Sequence, residues 1–317
     1  MDYQTAGVDI DKGDRFARFI ASIKSKAVSS SIGGFSGGIP LNVSNYKQPI
    51  LLSTTDGVGT KILVAKRLKR YNTIGIDLVA MNVNDLAVCG ADPLSFLDYI
   101  ACGKIQEGIL QEIIRGIVKG CEIAGCTLVG GETAEMPDLY SVEDLDLAGF
   151  CVGLVEQENF LPKIDRMQEG DLIYGLPSSG IHSNGLSLAR KALEKESVSV
   201  WEELLVPTRI YVKELIIFNQ NRTILGAAHI TGGGLEGNLQ RVIPKSLIPK
   251  LTWSWLVPEI FQRIQTLGSI DKKEMRRVFN MGIGIAMIVS RAEEDLFLQV
   301  ARQNNITVIK IGELSCG

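Results

Sequence analysis

Short continuous apolar runs alternate along this chain with longer stretches in which apolar residues recur every three or four positions, the marks of buried strands and amphipathic helices. Asp14 to Ala27 has helical spacing and leads into the loop Gly33–Gly38. Pro49–Thr55 reads as a buried strand that ends at Asp56 and turns through Gly57-Val58-Gly59 into a helix over Thr60–Arg70. From Gly75 to Cys89, Ile76, Val79, Ala80, Val83, Leu86 and Ala87 repeat at helical spacing, with Gly90 as the cap and Pro93 as the stop. A strand through Phe96 and Ile100, a helix over Gly108–Ala124 closed by Gly125, and strands Cys126–Val129 and Leu145–Val155 follow. Pro162–Gly170 breaks this rhythm, being charged and without apolar period. A second series then begins with strand Leu172–Leu176, helices Leu186–Leu193 and Thr208–Phe218, and the loop Thr231–Gly234. Helix Val257–Leu267, strand Gly282–Val289, helix Ala292–Asn304 and strand Thr307–Ile311 complete it. Alternating strands and helices predict an α/β (α+β) fold, and the break predicts two domains, 1–165 and 166–317.

Composition agrees with that division and narrows the function. A length of 317 residues exceeds the about 250 to 300 at which a single core stops growing. With 33 Lys+Arg against 36 Asp+Glu the net charge is −3, so no global basic field invites nucleic acid. The densest basic run, Lys66–Arg70, closes a predicted helix, where cations complement the helix dipole. No apolar run approaches the roughly 18 residues of a membrane span, and the N-terminus is polar and acidic, so the expectation is a cytoplasmic protein with no membrane partner. The six cysteines show no CxxC and no zinc spacing, and read as reduced core thiols. The 33 glycines exceed the average usage of roughly 7% and belong to no repeat or linker, which assigns the surplus to folded turns.

Several of those turns carry candidate chemistry. There is no GxxxxGK[ST] and no strand-borne GxGxxG. In their place Asp56-Gly57-Val58-Gly59-Thr60-Lys61 gathers backbone N–H groups at a helix start, an arrangement that binds anions. A carboxylate beside such a nest repels phosphate unless a cation lies between them, which makes Asp56 a candidate Mg²⁺ ligand; a helix cap with a tight turn is the other reading. In the next helix Asn82, Asn84 and Asp85 interrupt an apolar surface, and Asp77 lies within about 20° of Asn84 around the axis. This polar set is either a buried structural network or a metal and nucleotide site. Gly131 and Glu132, with Glu135 beyond, follow a further strand-to-glycine transition and offer a third acidic group at a strand end. Ser178, Ser179, Gly180, His182, Ser183 and Asn184 form a loop entering a helix, and His229 precedes Thr231, Gly232, Gly233 and Gly234. Both histidines of the chain thus stand beside anion-type loops, and imidazole suits proton transfer near neutrality. No GxSxG elbow supports a serine hydrolase. Together the acidic motifs and phosphate-type loops suggest Mg-nucleotide chemistry.

At these motifs the chain resembles the phosphoribosylformylglycinamidine cyclo-ligases, or aminoimidazole ribonucleotide synthetases, of purine biosynthesis. The resemblance runs from about Ala6 to Leu314. It rests on Ala6–Asp11, Asp56–Lys61, Gly75–Tyr99, Gly130–Pro137, Ser178–Gly185, Pro207–Lys213, Ala228–Gly234 and Phe279–Gly284. It implies a homodimer that pairs its N-terminal sheets, ATP near that interface, and a C-terminal domain closing over the substrate. It also implies ATP-dependent ring closure of formylglycinamidine ribonucleotide. Asp56 and Asp85, with Glu132 or Asn84, would hold Mg²⁺; Asp56 to Lys61, Asn84, Gly131 and Glu132 would bind ATP; and His182 or His229 would handle the proton. The loops Ser178–Asn184 and Thr231–Gly234 would bind the substrate's phosphate or the departing one, and Lys24 or Lys26 could reach ATP. Other ATP-using members of the wider superfamily, or a silent ATP-binding scaffold, are the alternatives. Asp138 stands where the family usually has Gly, Leu186 where it has an aromatic residue, and Leu235-Glu236-Gly237-Asn238 departs from the usual aromatic-plus-Glu pattern.

Overall fold

The computed structural model describes residues 7–317, so Ala6 of the first motif lies outside the described residues. The first half holds helices α1 (Ile10–Ser22), α2 (Ile62–Leu68), α3 (Ile74–Val88) and α4 (Glu107–Ala124) and strands β1 (Pro49–Gly57), β2 (Asp92–Cys102), β3 (Thr127–Glu135) and β4 (Leu145–Glu156). Its sheet has the order β1-β4-β2-β3, with β2 and β3 parallel and the other pairings antiparallel. The second half holds β5 (Leu172–Pro177), α5 (Leu186–Ala192), α6 (Val198–Leu204), α7 (Val212–Gln220), β6 (Gly226–His229), α8 (Gly234–Leu239), β7 (Leu247–Leu251), α9 (Glu259–Leu267), α10 (Lys272–Val278), β8 (Ile283–Val289), α11 (Glu294–Gln303) and β9 (Ile309–Cys316). Its sheet, ordered β6-β8-β5-β9-β7, is antiparallel throughout. The fold is therefore a two-sheet α/β (α+β) architecture.

The differences from the sequence reading have physical causes. The helix expected from Thr208 begins only at Val212, because Thr208 and Tyr211 give their backbone N–H groups to side chains of α3. Pro93 lies inside β2, where β4 shifts register between Pro93 and Ser95. The helices α6, α8 and α10 and the strands β6 and β7 were not apparent as elements, being four to seven residues long and too short for periodicity to register. Asp138 has φ 69°, so its position needs the left-handed conformation that favours Gly, and Asp is among the few residues that adopt it at modest cost. Leu186 is buried and packs as a core residue.

The centre of the molecule is α3. It is apolar nearly all round, as a helix buried on every side must be. On one flank Gly75 meets the backbone of α4 at Ile113 and Gly116, an approach that a side chain at 75 would block. Other faces meet β1 and β4 of the first sheet and β6 and α7 of the second half. The two halves share one continuous apolar cluster from Phe16 to Ala301.

Within this apolar helix Asp77 is fully buried and forms an ion pair with Lys61, also fully buried, at 2.8 Å. Asp77 Oδ1 further accepts from the N–H and hydroxyl of Thr208, at 2.7 and 2.6 Å, and from Ser183 Oγ at 3.1 Å. Lys61 Nζ also donates to the Val206 carbonyl at 2.6 Å. Burial pulls the Lys61 ammonium pKa down, and the Asp77 charge opposes that shift. Removing one member of such a pair leaves a buried charge unmatched, at a cost of about 3–5 kcal/mol. Asp77→Ala, which also strips Thr208 and Ser183 of their acceptor, is expected to lose at least this much unfolding free energy in urea, and more than Lys61→Met. The reverse order would show that Asp77 does not organise the junction.

Candidate active site

The glycine turn after β1 and the ends of α3 and β6 bring four of the expected residues together. Asp56 sits at the end of β1 and accepts from the N–H of Gly57 at 2.7 Å. Burial raises its pKa, the Gly57 hydrogen bond lowers it, and the nearby Asp85 charge raises it further. Asp85, in the last turn of α3, meets His229 at 2.8 Å between Oδ1 and Nδ1. His229 ends β6 with a side chain only 2% exposed, while that of Asp85 is 44% exposed. Asn84 Nδ2 lies 3.4 Å from His229 Nε2. These partners assign the His229 proton to Nδ1, facing the carboxylate, and leave Nε2 as the accepting nitrogen.

Asn84 is otherwise occupied. Its amide donates to the Arg209 carbonyl and accepts from the Tyr211 N–H, each at 2.9 Å, like a rung of sheet between α3 and the segment after Pro207. Asn82 donates to the Leu78 carbonyl at 2.9 Å and receives no solvent. The structural network is thus the better description of Asp77, Asn82 and Asn84, and Asn84 is not free for nucleotide. Lys61, expected on the anion-binding turn, instead points inward to Asp77 and Val206. Of that turn, Val58 is buried, Gly59 has φ 61°, and Thr60 Oγ1 lies 3.2 Å from Ser187 Oγ at the start of α5.

The two second-half loops meet each other. Asn184 Oδ1 accepts from the N–H of Gly232 at 3.1 Å, and Asn238 Nδ2 gathers the carbonyls of Thr231, Gly232 and Gly234. Ser178 Oγ donates to Asn280 at 3.1 Å, Asn280 donates to the Gly180 carbonyl at 2.9 Å, and Ser179 Oγ donates to the Pro207 carbonyl at 2.6 Å. Ser183 faces Thr208 and Asp77. His182 is buried with φ 61°; its Nε2 accepts from the Ser179 N–H at 3.2 Å, and its Nδ1 has no partner among the described residues. Burial first, then the charges of His229, Lys61 and Arg209, hold its pKa well below the ordinary imidazole value. His182 is therefore a neutral ring that presents an Nδ1–H donor.

Glu132 does not join Asp56 and Asp85. The cross-strand pairs Asp56–Gly149, Gly149–Asp98 and Asp98–Gly131 place Asp56 and Asp98 on the helix-covered face, whereas Glu132 pairs with Tyr99 on the opposite face. Three strand spacings also separate β3 from β1, about 14 Å. No set of three or more His, Cys, Asp or Glu side chains suited to a metal assembles among the described residues. Glu135 is structural, accepting from the N–H groups of Asp9 and Ile105, both at 2.7 Å. Gly131 and Glu132 instead line a cavity of about 300 Å³ with Asp98, Phe16, Ile20 and Gly33.

Several of these residues escaped the sequence reading. Thr208, Arg209, Tyr211 and Asn280 lay in recognised motifs without an assigned role. Asp98 carried a signal, a charge set among the apolar residues of a buried strand.

With this geometry in hand, the comparisons with known proteins are specific. The sequence matches the AIR synthase related N-terminal domain over residues 43–155 and the corresponding C-terminal domain over 168–316. The fold is shared with E. coli HypE, a hydrogenase maturation protein, at a TM-score of 0.69 and 14% identity, covering 98% of this chain and 92% of that one. It is also shared with thiamine-monophosphate kinase from Stenotrophomonas maltophilia, at 0.66 and 18%, covering 96% and 93%. The class is thus a two-domain AIR-synthase-related protein. Two proteins named phosphoribosylformylglycinamidine cyclo-ligase are far closer in sequence: that of Carboxydothermus hydrogenoformans is 46% identical over 100% of this chain and 97% of its own, and that of Syntrophus aciditrophicus is 48% identical over 92% and 89%. The chain belongs to the phosphoribosylformylglycinamidine cyclo-ligase family.

The buried Asp98 carboxyl has its pKa pushed up to about 7, by burial first and by Glu132 in addition. An unfolded Asp titrates near ~3.9, so between about pH 4 and 7 the folded chain retains a proton that the unfolded chain has released. Stability from this group is highest below that window and is lost as pH rises through it. Urea unfolding at pH 5 and 8 should show a larger fall for the parent than for Asp98→Asn; equal falls would refute the shifted carboxyl.

Proposed function

We propose that this chain converts formylglycinamidine ribonucleotide and ATP into 5-aminoimidazole ribonucleotide, ADP and phosphate in purine biosynthesis, as a cytoplasmic enzyme with its functional division at 165/166. The observation that carries this reading is identity of about half over essentially the whole length of relatives bearing that name, in a chain whose Asp56, Asp85 and His229 converge. ATP transfers its terminal phosphoryl group to the formyl oxygen, turning a poor leaving group into phosphate. The ribosyl-bearing amidine nitrogen attacks the same carbon, and the C–O bond breaks as the imidazole closes.

The chain's residues have distinct tasks in that scheme. Asp56 and Asp85 suit a Mg²⁺ ion that takes one or two carboxylates and completes its shell with phosphate oxygens, and such an ion would neutralise charge on the transferring group. Asp85 also orients His229, the candidate for handling the proton lost by the attacking nitrogen. His182, neutral, supplies a hydrogen-bond donor toward an oxygen that gains charge. Loops Ser178–Asn184 and Thr231–Gly234, tied by the Asn184–Gly232 bond, offer backbone N–H groups to the substrate's phosphate or the departing one.

The exposed apolar side chains Leu51 and Phe150 support a homodimer formed through the uncovered face of the first sheet. A partner there would bring a second Glu132 to the interface. No helix among the described residues is long and apolar enough to cross a membrane, and nothing in the charge pattern calls for nucleic acid.

With Mg²⁺ and ATP, ADP release is expected only after formylglycinamidine ribonucleotide is added, with aminoimidazole ribonucleotide formed in equal amount. Turnover without substrate, or none with it, would sink the reading. Asp56→Asn should weaken Mg²⁺-dependent ATP binding about tenfold or more, as loss of a charged contact does; unchanged affinity would remove Asp56 from the metal site.

A further inference from the structure

The segment Pro207–Tyr211 is held from two sides. From α3, Asp77 takes Thr208 and Asn84 takes Arg209 and Tyr211. From the second half, the Tyr211 hydroxyl donates to the Pro177 carbonyl at 2.8 Å, and Arg209 Nη1 donates to the same oxygen at 3.2 Å. Pro177 is where β5 leaves its sheet, at a register shift against β8, and the next residues are the loop that carries His182. A bulge of this kind aims whatever follows it.

We propose that Tyr211 is a positioning residue for the ring closure, acting through His182: its hydroxyl fixes the Pro177 carbonyl and thereby the loop that presents the imidazole. The kinetic part of this inference rests on the cyclo-ligase reading. Four further observations support it. Tyr211 is fully buried, yet its hydroxyl spends its hydrogen bond on this one loop carbonyl. The ring centroids of Tyr211 and His182 lie 6.2 Å apart. At Gly284 of β8, a side chain would collide with the Tyr211 hydroxyl and come within 2.8 Å of His182 Cε1, so both rings close on one strip of backbone that only glycine leaves open. His182 itself holds a left-handed backbone at φ 61°, a conformation that persists only where the surroundings over-determine it. The carbonyl clamp at Pro177 and the Ser179 N–H on Nε2 are among the contacts that do so, with Asn280 on the Gly180 carbonyl and Ser183 on Asp77.

Tyr211→Phe keeps the ring and removes only the hydroxyl. With two histidines in the chain, the imidazole signals are assigned by comparison with His229→Ala. In the ligand-free protein, Tyr211→Phe should shift the His182 ring resonances and leave those of His229 in place. In turnover kcat should fall about tenfold or more, the scale on which small misplacements act, with KM for ATP changed less than twofold. If Tyr211→Phe melts early, Arg209→Lys keeps the charge that acts on His182 but gives up the guanidinium bond to the same carbonyl, and is read in the same way. An unshifted His182 signal overturns the proposal, as does a loss confined to KM. If the parent lacks cyclo-ligase activity, that failure falls on the reaction, and the His182 spectrum alone decides whether Tyr211 positions the loop.

Discussion

The junction between the halves depends on one buried ion pair. Lys61 comes from the glycine turn after β1, Asp77 from α3, and the groups that hydrogen-bond to Lys61 Nζ and Asp77 Oδ1, Ser183, Val206 and Thr208, from the second half, while Asp77 Oδ2 has no partner among the described residues. A pair with no solvent on either side depends on added hydrogen bonds from nearby to offset its desolvation. The pair therefore requires the second half to dock in one place, and that place brings His229 of β6 to Asp85 one helix face away. Specific docking rather than net stabilisation is the reason we assign for a charge pair in an otherwise apolar centre. The same pair sets the height of the glycine turn, since Lys61 is anchored inward while Gly57 and Thr60 stay at the surface of the cleft.

The polar residues of α3 divide their labour along the helix. Asp77 and Asn84, two turns apart on nearly one line, grip the backbone from Thr208 to Tyr211. Asp85, one residue on, points about 100° away, reaches His229 and keeps part of its side chain exposed. A single helix thus holds the domains together with one face and offers a carboxylate to the cleft with another. This is why its composition suggested a ligand site: the need for polar atoms was real, but backbone of the other half fulfils most of it.

Much of the fold was legible because long elements carry their period openly. α3, α4, β1, β4 and β8 lie within a few residues of their expected bounds. The short elements were not, since a six- or seven-residue helix such as α8 or α10 shows fewer than two turns of pattern. The site divided along the same line. Residues next to glycine turns, Asp56, His182, His229 and the two loops, stood out in the sequence because local chemistry marks such turns. Lys61 and Glu132 were misplaced because their environments are set by tertiary partners: Asp77, sixteen residues away, in one case, and strand register against Tyr99 in the other. A sequence pattern contains the alternation of a strand but not which face a neighbouring layer will cover.

That last distinction bears on how an acidic protein handles two anionic substrates. The cleft as built by one chain has two carboxylates, Asp56 and Asp85, and few cations, for Lys61 is committed to Asp77 and Arg209 is paired with Glu214 at 2.6 Å. The burial-raised pKa of Asp56 marks a site where negative charge is already costly without a counter-ion. An incoming triphosphate would worsen that repulsion, and under the proposed chemistry a divalent cation arriving with the nucleotide would offset it. The sheet face carrying Glu132 also exposes Leu51 and Phe150, and under the proposed homodimer a second copy of the chain would cover them and give Glu132 a place at the interface.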